Sequence, residues 1–212
     1  MSQLIWLSWL TFTDPSFSDP WTKDAVYNAI GLTTAILQDC FDFNTFLMTT
    51  LANDLQQSSP QYNIVRRRIA ILIAQWSCVD IPRLNRPFIN QTFQHLLDKN
   101  QSTNDLSVRM TAGKQFKVVA DAWEFQPDAF VPFAPSILSA LIGLIQEVDL
   151  IETKMALLAT VTTVVERLEN RVSAHSKYSL EIDPDEDRPF PSPIRLSRCY
   201  QLYGRSQGMN TS

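Results

Sequence analysis

Glycine, cysteine and histidine are all scarce in this sequence. Five glycines among 212 residues are too few for a fold with many tight turns, which disfavours an all-β architecture. The three cysteines lie far apart without a Cys-x-x-Cys spacing, and only two histidines are present. We therefore predict no disulfide framework, no metal site and no cofactor. This cysteine usage is typical of a reducing, intracellular compartment.

A surplus of positive charge is also missing, and so is any long hydrophobic run. The net charge is −4, which argues against a general nucleic-acid-binding role. Residues 1–12 are apolar, but they carry no basic flank and fall short of the roughly 20 residues that a membrane span needs. We predict a soluble helix there and no membrane insertion, with a membrane or signal segment as the less favoured alternative. A proline-rich loop is expected to follow, up to residue 20.

Catalytic motifs are not found in the sequence. It contains no Gly-rich phosphate loop, no His-Glu-x-x-His and no Gly-x-Ser-x-Gly, and the sequence around neither histidine suggests a prepared nucleophile or base. His95 is interpreted as an ordinary helix residue beside Leu96 and Leu97. We predict that the chain is not an enzyme.

The most informative stretch runs from Ser58 to Val79. Ser59 and Pro60 are suited to begin a helix, and its apolar positions recur at helical spacing: Val65, Ile69, Leu72, Trp76 and Val79. Other apolar residues fill most of the remaining circumference, which predicts a helix covered by neighbours on several sides.

Three consecutive arginines, Arg66, Arg67 and Arg68, lie near the start of this helix. They cannot all face the interior, because an unpaired buried charge is too costly. One hypothesis is that they bond to carboxylates or carbonyls of the adjacent repeat. The other is that they bind an acidic partner or cargo surface.

The rest of residues 21–172 shows the same helical periodicity, without a strand signal of comparable length. Further helices are predicted to begin near Thr22, Asn44, Asn85, Asp105, Asp128 and Leu150. The helix from Asp128 is expected to be bent or delayed by its prolines. In the last two helices the predicted inward residues include Leu138, Leu141, Ile142, Ile145, Val148, Ile151, Met155, Leu158, Val165 and Leu168.

The helices repeat at a fixed period. An apolar or small residue followed by a basic one recurs at Val65-Arg66, Val108-Arg109 and Thr153-Lys154, and the separations lie within the about 40–47 residues of HEAT or armadillo units. We therefore predict an all-α solenoid of three to four HEAT- or armadillo-like helix pairs in a right-handed superhelical stack. Asp105 and Arg109 are spaced to pair along their helix, on a line that continues to Lys117, which is expected to be largely exposed. We expect Arg109 to pair either with Asp105 or with an acid of a neighbouring repeat.

Three runs in these helices resemble the importin-β (karyopherin-β) superfamily, most of all its importin-eleven branch. They are residues 21–31, residues 65–76 with the string Arg-Arg-Arg-Ile-Ala-Ile-Leu-Ile-Ala-Gln-Trp, and residues 106–112. The resemblance implies a nuclear transport receptor that shuttles between nucleus and cytoplasm through the nuclear pore. It also implies the partners of that family: a cargo protein, the small GTPase Ran, and Phe-Gly-repeat nucleoporins.

The chain departs from that family in extent. It resembles an interior slice, and the family's N-terminal Ran-binding repeats have no match, so we expect absent or weak binding of Ran-GTP. Residues 173–212 are acid-rich and then proline-rich, which predicts a disordered tail. The alternative function is a HEAT-repeat scaffold of another intracellular complex, because periodicity alone predicts a scaffold equally well.

Overall fold

In a computed structural model, every described element is helical. The structure describes residues 19–77, 82, 85–122 and 125–179, with side chains up to Glu169, and no strand occurs among them. The predictions for residues 1–12, for Val79 and for the tail from residue 180 onward lie outside the described residues. The chain divides into two units, Met1–Ala174 and His175–Ser212. In the second unit only the end of the last helix, up to Ser179, is described.

The first described helix, α1, spans Pro20–Leu32 and begins earlier than predicted. Its cap is Asp19, whose carboxylate accepts hydrogen bonds from the backbone N–H and the hydroxyl of Thr22 at 2.9 and 2.5 Å. Thr22 is therefore the third helical residue and not the cap. The reason is that Asp is a strong cap and Pro20 fits the first helical position, where its missing N–H costs nothing.

The remaining helices follow in chain order. They are α2 (Thr34–Leu37), α3 (Phe43–Phe46), a π-helical turn (Leu47–Leu51), α4 (Ala52–Leu55), a 3-10 turn (Pro60–Tyr62), α5 (Asn63–Trp76), α6 (Arg86–Leu97), α7 (Leu106–Asp121), α8 (Pro127–Phe130), α9 (Ala134–Glu147) and α10 (Ile151–Ser179). The break between α8 and α9 contains Pro132, which confirms the predicted delay. Helix α10 continues past Val172, where its end was expected.

The helices form two layers. Helices α1, α5, α7 and α10 lie side by side in one layer, while residues 43–55, α6 and α9 form the other. Contacts advance in the same direction along neighbouring helices of the first layer: Asn63 and Arg67 of α5 meet Asp105 and Thr111, and Gly113 and Asp121 of α7 meet Thr160 and Arg167 of α10. Neighbouring helices of this layer are therefore parallel, as expected for stacked helix pairs. The all-α solenoid prediction is confirmed.

The core between the layers contains two groups of aromatic side chains. The Trp76 indole stacks on Phe43 with ring centroids 4.6 Å apart, and Tyr27, Phe41 and Phe46 surround them. A second group joins Phe93, Phe116, Phe125 and Phe130 further along the stack. Such aromatic contacts bury large apolar areas, which stabilises each interface between helix pairs.

Two glycines permit close approach of neighbouring helices. A Cβ on Gly113 would lie 2.5 Å from Leu157 Cδ2 of α10, and a Cβ on Gly31 would overlap the Gln75 side chain of α5. The Gly113 carbonyl also accepts a hydrogen bond from the Thr160 hydroxyl at 3.0 Å. The absence of a side chain at these positions sets the distance between the parallel helices.

The prediction of which residues face inward was wrong in part for the last pair. Leu141 and Val148 are buried as predicted, but Ile142, Ile151 and Met155 are exposed, and Leu144, Leu157 and Val164 are buried although they were not selected. The helices α9 and α10 are apolar on more than one face, because a solenoid helix packs against repeats on both sides. For the three exposed residues, the apolar spacing in the sequence predicted the wrong face of the helix. Among the residues described, no helix has the length and apolar composition needed to span a bilayer.

Candidate functional site

A row of basic residues runs across the α1–α5–α7–α10 layer. Lys23, Arg66, Arg109 and Lys154 each stand fourth in their helix. The first three are buried and Lys154 is half-buried. We call these four residues the basic ladder. Lys23 was not among the predicted site residues, although it precedes Arg66 by the same period as Arg66 precedes Arg109, and that spacing could have identified it.

Lys23 binds a carboxylate of the next helix pair. Its Nζ lies 2.5 Å from Asp54 Oδ1, and the Tyr27 hydroxyl donates to Asp54 Oδ2 at 2.6 Å. Burial, together with the Asp54 carboxylate, raises the pKa of Tyr27 far above its usual range, so the phenol stays protonated. Asp54 is buried in the last turn of α4, where sequence reasoning singled out no polar residue.

Arg66 is fully buried, and its bonds go to backbone carbonyls and an amide. Its guanidinium donates to Gln57 O, to Thr103 O at 3.1 Å and to Asn63 Oδ1 at 2.6 Å. Burial lowers the pKa of Arg66, partly offset by Asp105. Arg66 thus bonds to two loops, the one between α4 and α5 and the one between α6 and α7.

His95 lies close to Arg66 and is half-buried. Burial lowers the pKa of its imidazole, and the positive charge of Arg66 lowers it further against the opposing effect of Asp98. The imidazole is therefore neutral near pH 7. The backbone carbonyl of His95 accepts a hydrogen bond from Asn104 Nδ2 at 2.6 Å, which ties α6 to the loop before α7.

Arg109 pairs with Glu147 and not with Asp105. Both terminal guanidinium nitrogens donate to the Glu147 carboxylate at 2.6 Å, and this bond raises the pKa of Arg109 and lowers that of Glu147. Glu147 is the last residue of α9, in the next helix pair. Asp105 is unavailable because it caps α7, accepting from the Val108 N–H at 2.7 Å, and also binds Asn63 at 2.9 Å.

Arg67 and Arg68 leave the interior in different directions. Arg68 reaches back to α1, where it bonds to Asp24 at 2.7 Å and to Asn28 at 2.6 Å. Arg67 is exposed and points toward α7, where its Nε donates a long hydrogen bond of 3.3 Å to the Thr111 hydroxyl. The three arginines therefore connect α5 to both neighbours in its layer.

Lys117, the remaining predicted residue, lies on α7. Its side chain is 43% exposed, with Nζ 3.8 Å from Asp121 one turn later. Two cations that sequence reasoning did not identify lie nearby. Lys114 is exposed and donates to the Thr153 hydroxyl at 3.2 Å, and Arg167 donates to Asp121 O at 2.5 Å. Their positions on helix faces adjoining Lys117 could have indicated them.

A catalytic or metal-binding arrangement does not emerge from these contacts. Across the part of the chain that the structure describes, no three His, Cys, Asp or Glu side chains are grouped so that they could hold a metal ion. The perturbed pKa values belong to hydrogen-bonded pairs, to helix caps, and to Arg66 and His95, where burial is the main cause. The arrangement can join repeats and bind a protein surface.

Comparison with known proteins identifies relatives of the chain. Importin-11 of Mus musculus is 36% identical over 146 residues, which cover 69% of this chain and 15% of that protein. Importin-11 of Homo sapiens is 34% identical and importin beta-like protein KAP120 of Saccharomyces cerevisiae 26%, each over 71% of this chain and 15% of the relative. No family model matches.

A solved structure shares the fold. Lph2, described as a bidirectional nuclear transport receptor in S. cerevisiae, gives a TM-score of 0.69 at 23% identity, over 79% of this chain and 18% of that one. The resemblance to the importin-β superfamily and its importin-eleven branch is thus confirmed. The chain spans only a small part of the length of the curated relatives it matches, and over that part it is a homologue of importin-11 and other importin-β-like proteins.

Proposed function

We propose that this chain is a segment of a nuclear transport receptor and that it acts by protein–protein binding. The observation that carries the proposal is its 36% identity to importin-11 over 146 residues, in a chain folded as stacked helix pairs. Repeat geometry alone would suit a scaffold of another complex equally well, so the homology decides between the two.

The segment contributes in two ways. The basic ladder bonds each helix pair to the next, which fixes the spacing and register of the repeats. Exposed side chains on the α1–α5–α7–α10 layer are then presented in a fixed order to a partner. Such a surface recognises proteins by shape and charge, with no covalent step.

The partners follow from the family. The complete receptor binds a cargo protein and Ran, contacts Phe-Gly-repeat nucleoporins, and shuttles between nucleus and cytoplasm. The present segment corresponds to about 15% of such a receptor. We expect Ran-GTP to bind mainly through repeats outside it.

The test uses the full-length protein that contains this segment. Immobilised Ran loaded with GTP or with GDP is offered to it, and preferential retention on Ran-GTP is the expected result. Equal retention on both forms, or on neither, would favour a scaffold. The 212-residue chain serves as the comparison, since it should bind Ran-GTP weakly or not at all.

A further inference from the structure

A basic and apolar surface lies on the solvent-facing side of α5 and α7, with Met110 reaching from it to the edge of the core. It consists of Arg67, Ile71, Met110, Lys114, Lys117 and Val118, which we call the open face. Residues spaced by three or four positions lie next to one another on a helix, so Arg67 and Ile71 are neighbours on α5, and Met110, Lys114 and Val118 form a row on α7. The hydrogen bond between Arg67 and Thr111 joins the two rows.

The open face carries uncompensated positive charge. Within the described residues, Arg67 and Lys114 form no ion pair, because their hydrogen bonds go to the uncharged hydroxyls of Thr111 and Thr153. Lys117 has Asp121 at 3.8 Å, and Arg167 competes for that same carboxylate at 3.9 Å. A local positive surplus thus stands on a chain whose net charge is −4.

Aliphatic side chains separate these cations. Val118 is 46% exposed, and Ile71 and Met110 are half-buried beside the charged groups. The six residues of the open face include no aromatic side chain on which a base could stack, and three cations are few for neutralising a nucleic-acid backbone. The surface is better matched to carboxylates alternating with aliphatic groups.

We propose that the open face binds an acidic segment of a partner protein in which Asp or Glu residues alternate with aliphatic residues. The carboxylates pair with Arg67, Lys114 and Lys117, and the aliphatic side chains cover Ile71, Met110 and Val118. This inference rests on the proposed function, which it deepens by naming the surface and the chemistry of the partner.

Fluorescence anisotropy with the 212-residue chain tests the proposal. The probe is a short labelled peptide alternating Asp and Glu with Leu and Ile, and its control is the same peptide with Asn and Gln in place of the acids. The acidic peptide should bind more tightly, with an affinity that falls as salt is raised. Lys114→Glu should weaken binding by about tenfold or more, because it replaces attraction by repulsion.

A matched variant controls for overall charge. Lys99 is exposed in the loop after α6, and Lys99→Glu makes the same charge change away from the open face. It should alter the affinity by less than about twofold. Circular dichroism melting of both variants establishes that each is folded.

Three results would overturn the proposal: no binding of the acidic peptide, equal binding of the neutral one, or equal weakening by Lys99→Glu and Lys114→Glu. A single-stranded oligonucleotide that binds as tightly as the peptide would assign the face to nucleic acid instead. Ran-GTP retention by the full-length receptor carrying Lys114→Glu separates this proposal from the proposed function, because retention should be unchanged.

Discussion

Arg66 places a positive charge inside the solenoid with backbone carbonyls as its principal acceptors. Its neighbours in sequence are treated differently, since Arg67 is exposed and Arg68 binds Asp24. Three chemically identical side chains therefore have three different energetic roles. The cost of burying Arg66 is offset by its hydrogen bonds to Gln57 O, Thr103 O and Asn63 Oδ1.

The neighbouring arginines provide a matched pair of substitutions. Arg66→Met should lower the free energy of unfolding by about 3 kcal/mol, because Thr103 O, Gln57 O and Asn63 Oδ1 lose a charged donor that belongs to a fully buried side chain. Arg67→Met should change it by less than about 0.5 kcal/mol, as expected for an exposed side chain. Urea denaturation of both variants measures the difference, and equal losses would show that Arg66 is not a structural donor.

At the residue scale the sequence predicted burial well where one face alone meets the core. The helical spacing of Ile89, Phe93, Leu96 and Leu97 predicts one apolar face for α6, and all four are buried. The sequence could exclude burial of all three arginines, but it could not say which one is buried. That choice depends on the loops after α4 and α6, whose carbonyls are distant in the chain. For the same reason, the sequence could not decide whether Arg109 pairs with Asp105 or with an acid of a neighbouring repeat.

Between elements, the Arg109–Glu147 pair is an ionic contact with two hydrogen bonds. Its guanidinium is largely buried, whereas the carboxylate is 41% exposed. A double-mutant cycle with Arg109→Leu and Glu147→Gln should give a coupling free energy of about 1–2 kcal/mol near pH 7. A coupling indistinguishable from zero would mean that the pair does not join α7 to α9.

The same pair predicts a dependence on pH. Because the bond lowers the pKa of Glu147 in the folded state, its stabilisation is present above the ordinary value of 4.5 and is lost as the pH falls through the folded pKa. The coupling should therefore shrink below about pH 4.5. Repeating the cycle across that range checks the sign, and a coupling that grows on acidification would contradict it.

Two glycines in adjacent helices should respond in opposite ways to the same substitution. Gly113→Ala should destabilise by about 1 kcal/mol, because its Cβ would meet the buried Leu157 and Leu141, and overpacking exceeds the gain in helix propensity. Gly143 has no heavy atom within 4 Å of such a Cβ, so Gly143→Ala should stabilise by about 0.5–1 kcal/mol. Thermal melts of the two variants shifting in the same direction would argue against close packing at Gly113.

Helix existence and period were predictable, but helix orientation was not always so. Helices α5, α6 and α7 followed from caps and apolar spacing, and the period identified the solenoid. For α9 and α10 the apolar residues cover too much of the circumference to define one inward face. Which face packs on the preceding pair is decided by Gly113, whose missing side chain admits Leu157, and that close contact has no signature in α10 itself.

For the molecule as a whole, apolar side chains remain uncovered at both ends of the described stack. They are Trp21, Leu32 and Ile36 at one end and Ile142 and Ile151 at the other. Covering one such side chain is worth roughly 1.5–3 kcal/mol. We expect the isolated chain to self-associate through these surfaces, as detected by light scattering after size-exclusion chromatography.

Charge substitution at one end tests this expectation. Ile151→Glu should shift the chain toward the monomer, whereas Thr162→Glu, at an exposed polar position of the same helix, should shift it less. A wild-type chain that is monomeric at high concentration would show that these surfaces are not adhesive.

The position of the basic ladder bears on how the solenoid can bend. Lys23, Arg66 and Arg109 fasten successive helix pairs at one level, close to the N-terminal ends of α1, α5 and α7. Beyond Arg68 and Thr111, the packing of α1, α5 and α7 against one another is mainly apolar, whereas α7 and α10 remain hydrogen-bonded as far as Asp121. Apolar contacts tolerate sliding better than short, directional ionic bonds do. For α1, α5 and α7 we therefore expect the ladder to act as a pivot line, about which these helices rotate at their far ends while their near ends keep a fixed spacing.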